Sequence, residues 1–180
     1  MEEKTNPPPE IETLKLVTEF LRQYEFSKEM YKKMLAEFLR VLDLDIGTLR
    51  VIDEDSGVLR LVASAGVEED QLVQEVSLDD SEHLGASVGR GADPIVLSDA
   101  VSEGLPGSRL DIIEALGIRT LIFWPIKGAN GRMMGVVNLA SRHEKQLDVR
   151  SRDLFSAIAR AFGAVMERHV MVQALKKSEE

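Results

Sequence analysis

Two strand pairs, each closed by a short turn and set between stretches of helical periodicity, constrain this chain more than any other feature. The clearer pair is Thr120-Leu121-Ile122-Phe123-Trp124 and Met133 to Leu139, flanking Gly128-Ala129-Asn130-Gly131. Asn-Gly suits a hairpin turn in which both central residues take positive φ. The other pair is Leu49-Arg50-Val51-Ile52 and Val58-Leu59-Arg60-Leu61-Val62, joined by the acidic, glycine-ended Asp53 to Gly57. Strand alternation sends Leu59, Leu61 and Ala63 to one side and Arg60, Val62 and Ser64 to the other. Two hairpins cannot close a barrel, so they need covers on both faces of one sheet.

The chain ends supply one cover. Ile11, Leu14, Val17, Leu21 and Tyr24 recur at helical spacing. Ser27 is placed to cap a second helix, whose apolar stripe is Met30, Tyr31, Met34, Leu35, Phe38, Leu39 and Leu42. Asp148 to about Lys177 reads as one long helix, with Leu154, Ile158, Phe162, Val165, His169, Val172 and Lys176 at spacings of four and three. The middle is irregular. Short helices are expected over Glu68–Val73, Ser81–Val88 and Leu110–Leu116, the last ending at Gly117, with short strands at Glu75–Ser77 and Pro94–Leu97 and a loop over Ser102–Ser108. The expected fold is α+β: an antiparallel sheet with the N- and C-terminal helices on one face and short helices and loops on the other. Short, glycine-rich segments bury less, so the second face is where a small-molecule cavity is expected. Residues 1–10 read as a proline-rich disordered lead, 11–172 as the domain, and 173–180 as the start of a helical linker.

Composition excludes several classes. There are no cysteines, which removes disulfides, thiolate metal sites and thiol catalysis. The net charge of −9 disfavours nucleic acid and anionic membrane surfaces. No apolar run approaches the roughly 18 residues of a membrane span, and the N-terminus lacks the features of a signal peptide, so a cytoplasmic chain is expected. Gly85 to Gly91 matches neither phosphate-loop pattern, and Ser56, Ser64, Ser87 and Ser98 lack a nucleophile-elbow context. The acid pairs Asp53 with Asp55 and Asp79 with Asp80 fall where Asp caps turns. The expectation is a chain without catalysis of its own.

Ile46 to Gly66, Gly91 to Asp99, Gly117 to Ser141 and Asp153 to Arg168, in this order and spacing, resemble a GAF domain, the small-molecule sensory module of signalling proteins. The resemblance implies ligand sensing and relay through the terminal helices to a downstream histidine kinase output; the alternative is a ligand-free structural dimerisation module whose pocket is filled by its own side chains. Chromophore attachment in bilin-binding members, and catalysis in the methionine sulfoxide reductases of this fold, use cysteines that are absent here. The cyclic-nucleotide signature is absent too: Asn138 is followed by Leu139, and Phe155 has no Asp-Glu after it. The cofactor is therefore unknown. His83 reads first as a surface histidine; heme-binding members of the family make it the one heme-ligand candidate. Gln173 to Glu180 resembles the helical linker that precedes PAS domains in sensor histidine kinases, which implies a following PAS or kinase domain in the same polypeptide.

Alternation supplies the binding candidates. With Leu49, Val51, Leu59 and Leu61 turned toward the terminal helices, Arg50 and Ser64 face the cavity, and Asn138 faces away from Val137 and Leu139. Ser87, Asp99 and Thr120 complete the set. The terminal helices carry more apolar surface than one sheet face requires, so a homodimer is expected through Leu14, Val17, Leu21, Ile158, Phe162, Val165, His169 and Val172. A ligand in the irregular half would order residues 66–116 and bias the last helix.

Overall fold

The computed structural model describes residues 27–91, 93–103 and 110–179, with the side chains of 37 and 41 excepted, and six earlier residues, Ile11, Glu12, Lys15, Thr18, Glu19 and Arg22, which are helical. Leu14, Val17 and Leu21 lie outside the described residues, as do the expected lead over 1–10 and most of the loop expected over Ser102–Ser108.

The elements run α1 (Lys28–Leu42), β1 (Ile46–Asp53), β2 (Val58–Ala65), a 3₁₀ turn (Glu69–Gln71), β3 (Glu75–Ser77), α2 (Leu84–Gly89), β4 (Ile95–Leu97), α3 (Leu110–Ala115), β5 (Thr120–Lys127), β6 (Met133–Ser141) and α4 (Val149–Ser178). The strands form one antiparallel sheet in the order β3-β2-β1-β6-β5-β4. The two hairpins therefore meet through β1 and β6 at its centre. This is the α+β architecture expected from the period changes.

Helix ends follow local chemistry. The Ser27 hydroxyl accepts the Met30 N–H at 3.2 Å, and Asp148 accepts the Ser151 N–H at 2.8 Å. Gly117, after α3, takes φ +67°, the left-handed residue expected there. The β5–β6 turn differs from expectation. Only Gly131 has positive φ, the Gly131 N–H bonds the Gly128 carbonyl, and a register shift follows Ile126. An ordinary turn ending in a left-handed glycine replaces the mirror-image turn predicted from Asn-Gly.

One sheet face meets α1 and α4. Its core includes Met34, Leu35 and Phe38 of α1, Leu49 and Ala63 of the first hairpin, Ile122, Trp124, Val137 and Leu139 of the second, and Phe155, Ile158, Phe162 and Val165 of α4. Phe38 and Phe162 meet edge to face at 4.8 Å, which locks the two helices together over the sheet. Ile158, Phe162 and Val165, expected at an interface between copies, are thus buried in the chain's own core. The periodicity of α4 was real, but its apolar stripe is spent on the sheet.

The other face carries a second core of Leu59, Val76, Ala86, Val88, Ile113, Phe123 and Val136. Leu59 belongs here, not with the terminal helices. The cause is a bulge: β1 and β2 pair Leu49 with Ala63 but Arg50 with Leu61, leaving Val62 over. One extra residue reverses the facing of everything beyond it. Leu59 and Leu61 therefore turn opposite to expectation, while Leu49 and Val51 stay on the helix side.

Gly163 shows how tightly α4 seats. A Cβ there would collide with the Lys127 carbonyl. Helix propensity alone predicts that Gly163→Ala gains about 1 kcal/mol. The contact predicts the opposite sign, a net loss of stability in urea denaturation.

Four carboxylates sit below the ordinary range because they accept hydrogen bonds in the fold: Asp45 chiefly from the Arg142 backbone N–H, Asp53 from Ser56, Asp99 from the Arg119 side chain and Asp148 from Ser151. A depressed folded pKa stabilises above the unfolded value of about 4 and ceases to as pH falls through the folded value. Stability is expected to decline on acidification below about pH 4, and Asp45→Asn should lower it at neutral pH while flattening the acid limb, followed by denaturant titration across pH.

A cavity floored by beta1 and beta6

The cavity lies on the second face, under α2, α3 and the turn before β3. Antiparallel register builds its floor. Ile46 pairs with Ala140 and Thr48 with Asn138, while Arg50 follows two residues along β1. Asn138 pairs on its other side with Phe123 of β5. One row across the sheet thus reads Thr48, Asn138, Phe123, all lining the cavity. Leu72 and Val73, His83 and Leu84, and Ile112, Ile113, Leu116 and Ile118 enclose it, and its volume is about 340 Å³. That is the lower part of the usual range of small-molecule sites, about 300–1,000 Å³.

The walls are apolar and the floor is not. The Thr48 hydroxyl and the Asn138 carboxamide oxygen are buried with no hydrogen-bond partner. Each such group costs about 1–3 kcal/mol when left dry. Arg50 is buried, and its Nη2 donates to the Val73 carbonyl at 2.6 Å, with Nη1 and the Gln74 carbonyl 3.5 Å apart. Its guanidinium ties the turn before β3 to the floor.

His83 is not the surface histidine expected; only 3% of it is exposed. It caps α2, its Nδ1 accepting the Ala86 N–H at 3.3 Å. An accepting Nδ1 carries no proton, so the neutral ring carries its proton on Nε2 and has no lone pair left for a heme iron. Those residues do not fit a heme. Among the described residues no group of three His, Asp or Glu could hold a metal ion.

The remaining candidates fall elsewhere. Ser64 is buried beside Thr48 in the register, but its hydroxyl donates to the Val67 carbonyl at 3.1 Å, outside the cavity. Ser87 lies on α2 away from the lining. Asp99 pairs with Arg119 at 3.1 Å. The Thr120 hydroxyl lies 3.0 and 2.8 Å from the Ser98 and His143 carbonyls and accepts the Lys145 N–H at 2.8 Å, so it is satisfied within the fold. Of the six, Arg50 and Asn138 reach the cavity. Thr48 was missed because β1 begins three residues before the expected Leu49; its place two residues before Arg50 was the available signal.

A model of the GAF domain matches residues 26–167. The chain belongs to the GAF family. GAF domains are regulatory modules of signalling proteins. No curated protein matches the sequence. The fold is similar to the GAF domain of an Acinetobacter phosphoenolpyruvate-protein phosphotransferase, at 15% identity and TM-score 0.76, covering 94% of this chain and 99% of that one. It is similar to a free methionine-R-sulfoxide reductase from Neisseria meningitidis, solved with its substrate, at 13% identity and TM-score 0.72, covering 96% and 98%. A domain assigned to a two-component sensor histidine kinase of Sinorhizobium meliloti matches at 22% identity and TM-score 0.67, covering 84% and 98%. At such identities these likenesses speak for the fold. No helix among the described residues is long and apolar enough to cross a membrane.

Gly85 ties the GAF cavity to its cap. A Cβ there would stand 2.8 Å from His83 Cε1 and 3.1 Å from Nδ1. Gly85→Ala is therefore expected to displace the His83 ring and shift its NMR resonances, leaving His143 and His169 unmoved.

Proposed function

We propose that this GAF domain is a small-molecule sensor whose ligand occupies the cavity on β1 and β6 and whose state is relayed by α4. The observation that carries the reading is the pair of unpartnered polar groups, Thr48 and Asn138, on the floor of an otherwise apolar cavity. A folded chain gains nothing from burying them dry, whereas a ligand that bonds them recovers the cost.

The relay is built into single strands. Asn138 faces the cavity, while Val137 beside it packs in the core of α4 and Leu139 touches both that core and the cavity. Phe123 lines the cavity, while Trp124 stacks on Phe155 of α4 with ring centroids 5.4 Å apart. A ligand that shifts β5 or β6 must repack that helix, and it does so only by its differential affinity for the two packings. Beyond Met166, α4 continues to Ser178 with Val170, Met171, Val172 and Leu175 exposed. These turns, with His169, are the surface we assign to a second copy and to the connection toward a following PAS or kinase domain; the likeness to the sensor-kinase domain supports that output.

Native mass spectrometry of the gently purified full chain tests this. The expected spectrum is a dimer with one defined small molecule per protomer, lost in Thr48→Val, and with release of that molecule changing the fluorescence of Trp124, the one tryptophan. A monomer would sink the dimeric relay. A protein that takes up no small molecule at the cavity under any condition would sink the sensor reading.

A further inference from the structure

The chemistry of the floor restricts what can bind there. We propose that the ligand presents a neutral amide edge, a carboxamide or lactam, to Thr48 and Asn138, with a small planar apolar body against Phe123. This deepens, and rests on, the reading of the cavity as a ligand site.

Thr48 and Asn138 are direct partners across β1 and β6, so their Cβ atoms stand about 5 Å apart. Thr48 is only 6% exposed. A hydroxyl beside a carboxamide could bond it directly, yet neither oxygen has a partner. Both residues line the cavity. The Asn138 oxygen requires a donor. The Thr48 hydroxyl offers a proton to an acceptor. A ligand that satisfies both at once carries a donor and an acceptor side by side, which is the edge of an amide.

Other small-ligand edges fit less well. A carboxylate brings two acceptors and no donor for the Asn138 oxygen, and the Arg50 guanidinium on the same floor, the one cation it would seek, is already engaged by the Val73 carbonyl. A ketone serves Thr48 and leaves Asn138 dry. Phe123, on the far side of Asn138 in the same row, also lines the cavity and gives a planar body an aromatic neighbour. A cavity of about 340 Å³ holds a ligand of roughly one ring and its substituents, toward the small end of known sites.

The test compares benzamide, benzoate and acetophenone, which share a ring and differ in the edge. Each is titrated into the full chain and followed by two-dimensional NMR at Thr48, Phe123 and the Asn138 side-chain amide. Benzamide is expected to bind at least about tenfold more tightly than the other two, the worth of one well-made hydrogen bond. In Asn138→Leu the gap between benzamide and acetophenone should close while both still bind; the comparison in the unaltered protein decides the matter even if that variant fails to fold. Equal affinities, or tighter binding of benzoate, would overturn the amide edge and leave the cavity as a ligand site. If no probe moves any cavity resonance, both the edge and the site reading fall.

Discussion

The pairing of β1 with β6 is the contact on which the rest of this structure depends. Each hairpin is local and could form alone only marginally. Joined at the centre and extended by β3 and β4 at the edges, they form a sheet of six strands wide enough to carry a core on each face. The joint is close: Gly135 of β6 lies against the Arg50 carbonyl, where no side chain would fit. The same joint sets Thr48 against Asn138, so the contact that assembles the fold also assembles the cavity floor.

The two faces serve different ends. Toward α1 and α4 the sheet is filled by aromatic and branched side chains, with Phe38 on Phe162 and Trp124 on Phe155. Toward α2 and α3 it is covered by helices of six residues each. Short helices bury little and cannot fill the space over a long strand pair. The cavity is the consequence, and its polar floor is what distinguishes it from a packing defect. The proposed function would use this asymmetry: one face that holds the fold, and one face that can be occupied or empty.

Much of this was legible in the sequence. Period changes marked both hairpins, α1 and α4, and turn residues marked the short elements between them, with bounds displaced by up to three residues; Ser27, Asp148 and Gly117 mark helix ends by chemistry that acts over three or four residues. Arg50 and Asn138 followed from simple alternation. What failed was mostly non-local. The bulge opposite Leu49 and Arg50 depends on how two strands fit, and it reversed Leu59 and Leu61. Thr120 lies against the Ser98 and His143 carbonyls, which only folding brings near, whereas Ser64 bonds the Val67 carbonyl through a local turn that alternation does not register. His83 looked polar and exposed among Glu82 and its neighbours, yet it is buried as a helix cap over Gly85. Ile158, Phe162 and Val165 formed a genuine stripe, but a stripe does not say whether it meets a sheet or another copy.

On the proposed function, Thr48 and Asn138 are kept dry for a ligand and at a cost to the fold. Urea denaturation of the ligand-free double variant Thr48→Val with Asn138→Leu tests this most directly, because both replacements keep shape and remove polarity. Removing buried, unsatisfied groups should leave the protein as stable as the parent or more so, by up to a few kcal/mol. A loss of more than about 1 kcal/mol would mean that the two groups hold the fold together, and would contradict their assignment to a ligand.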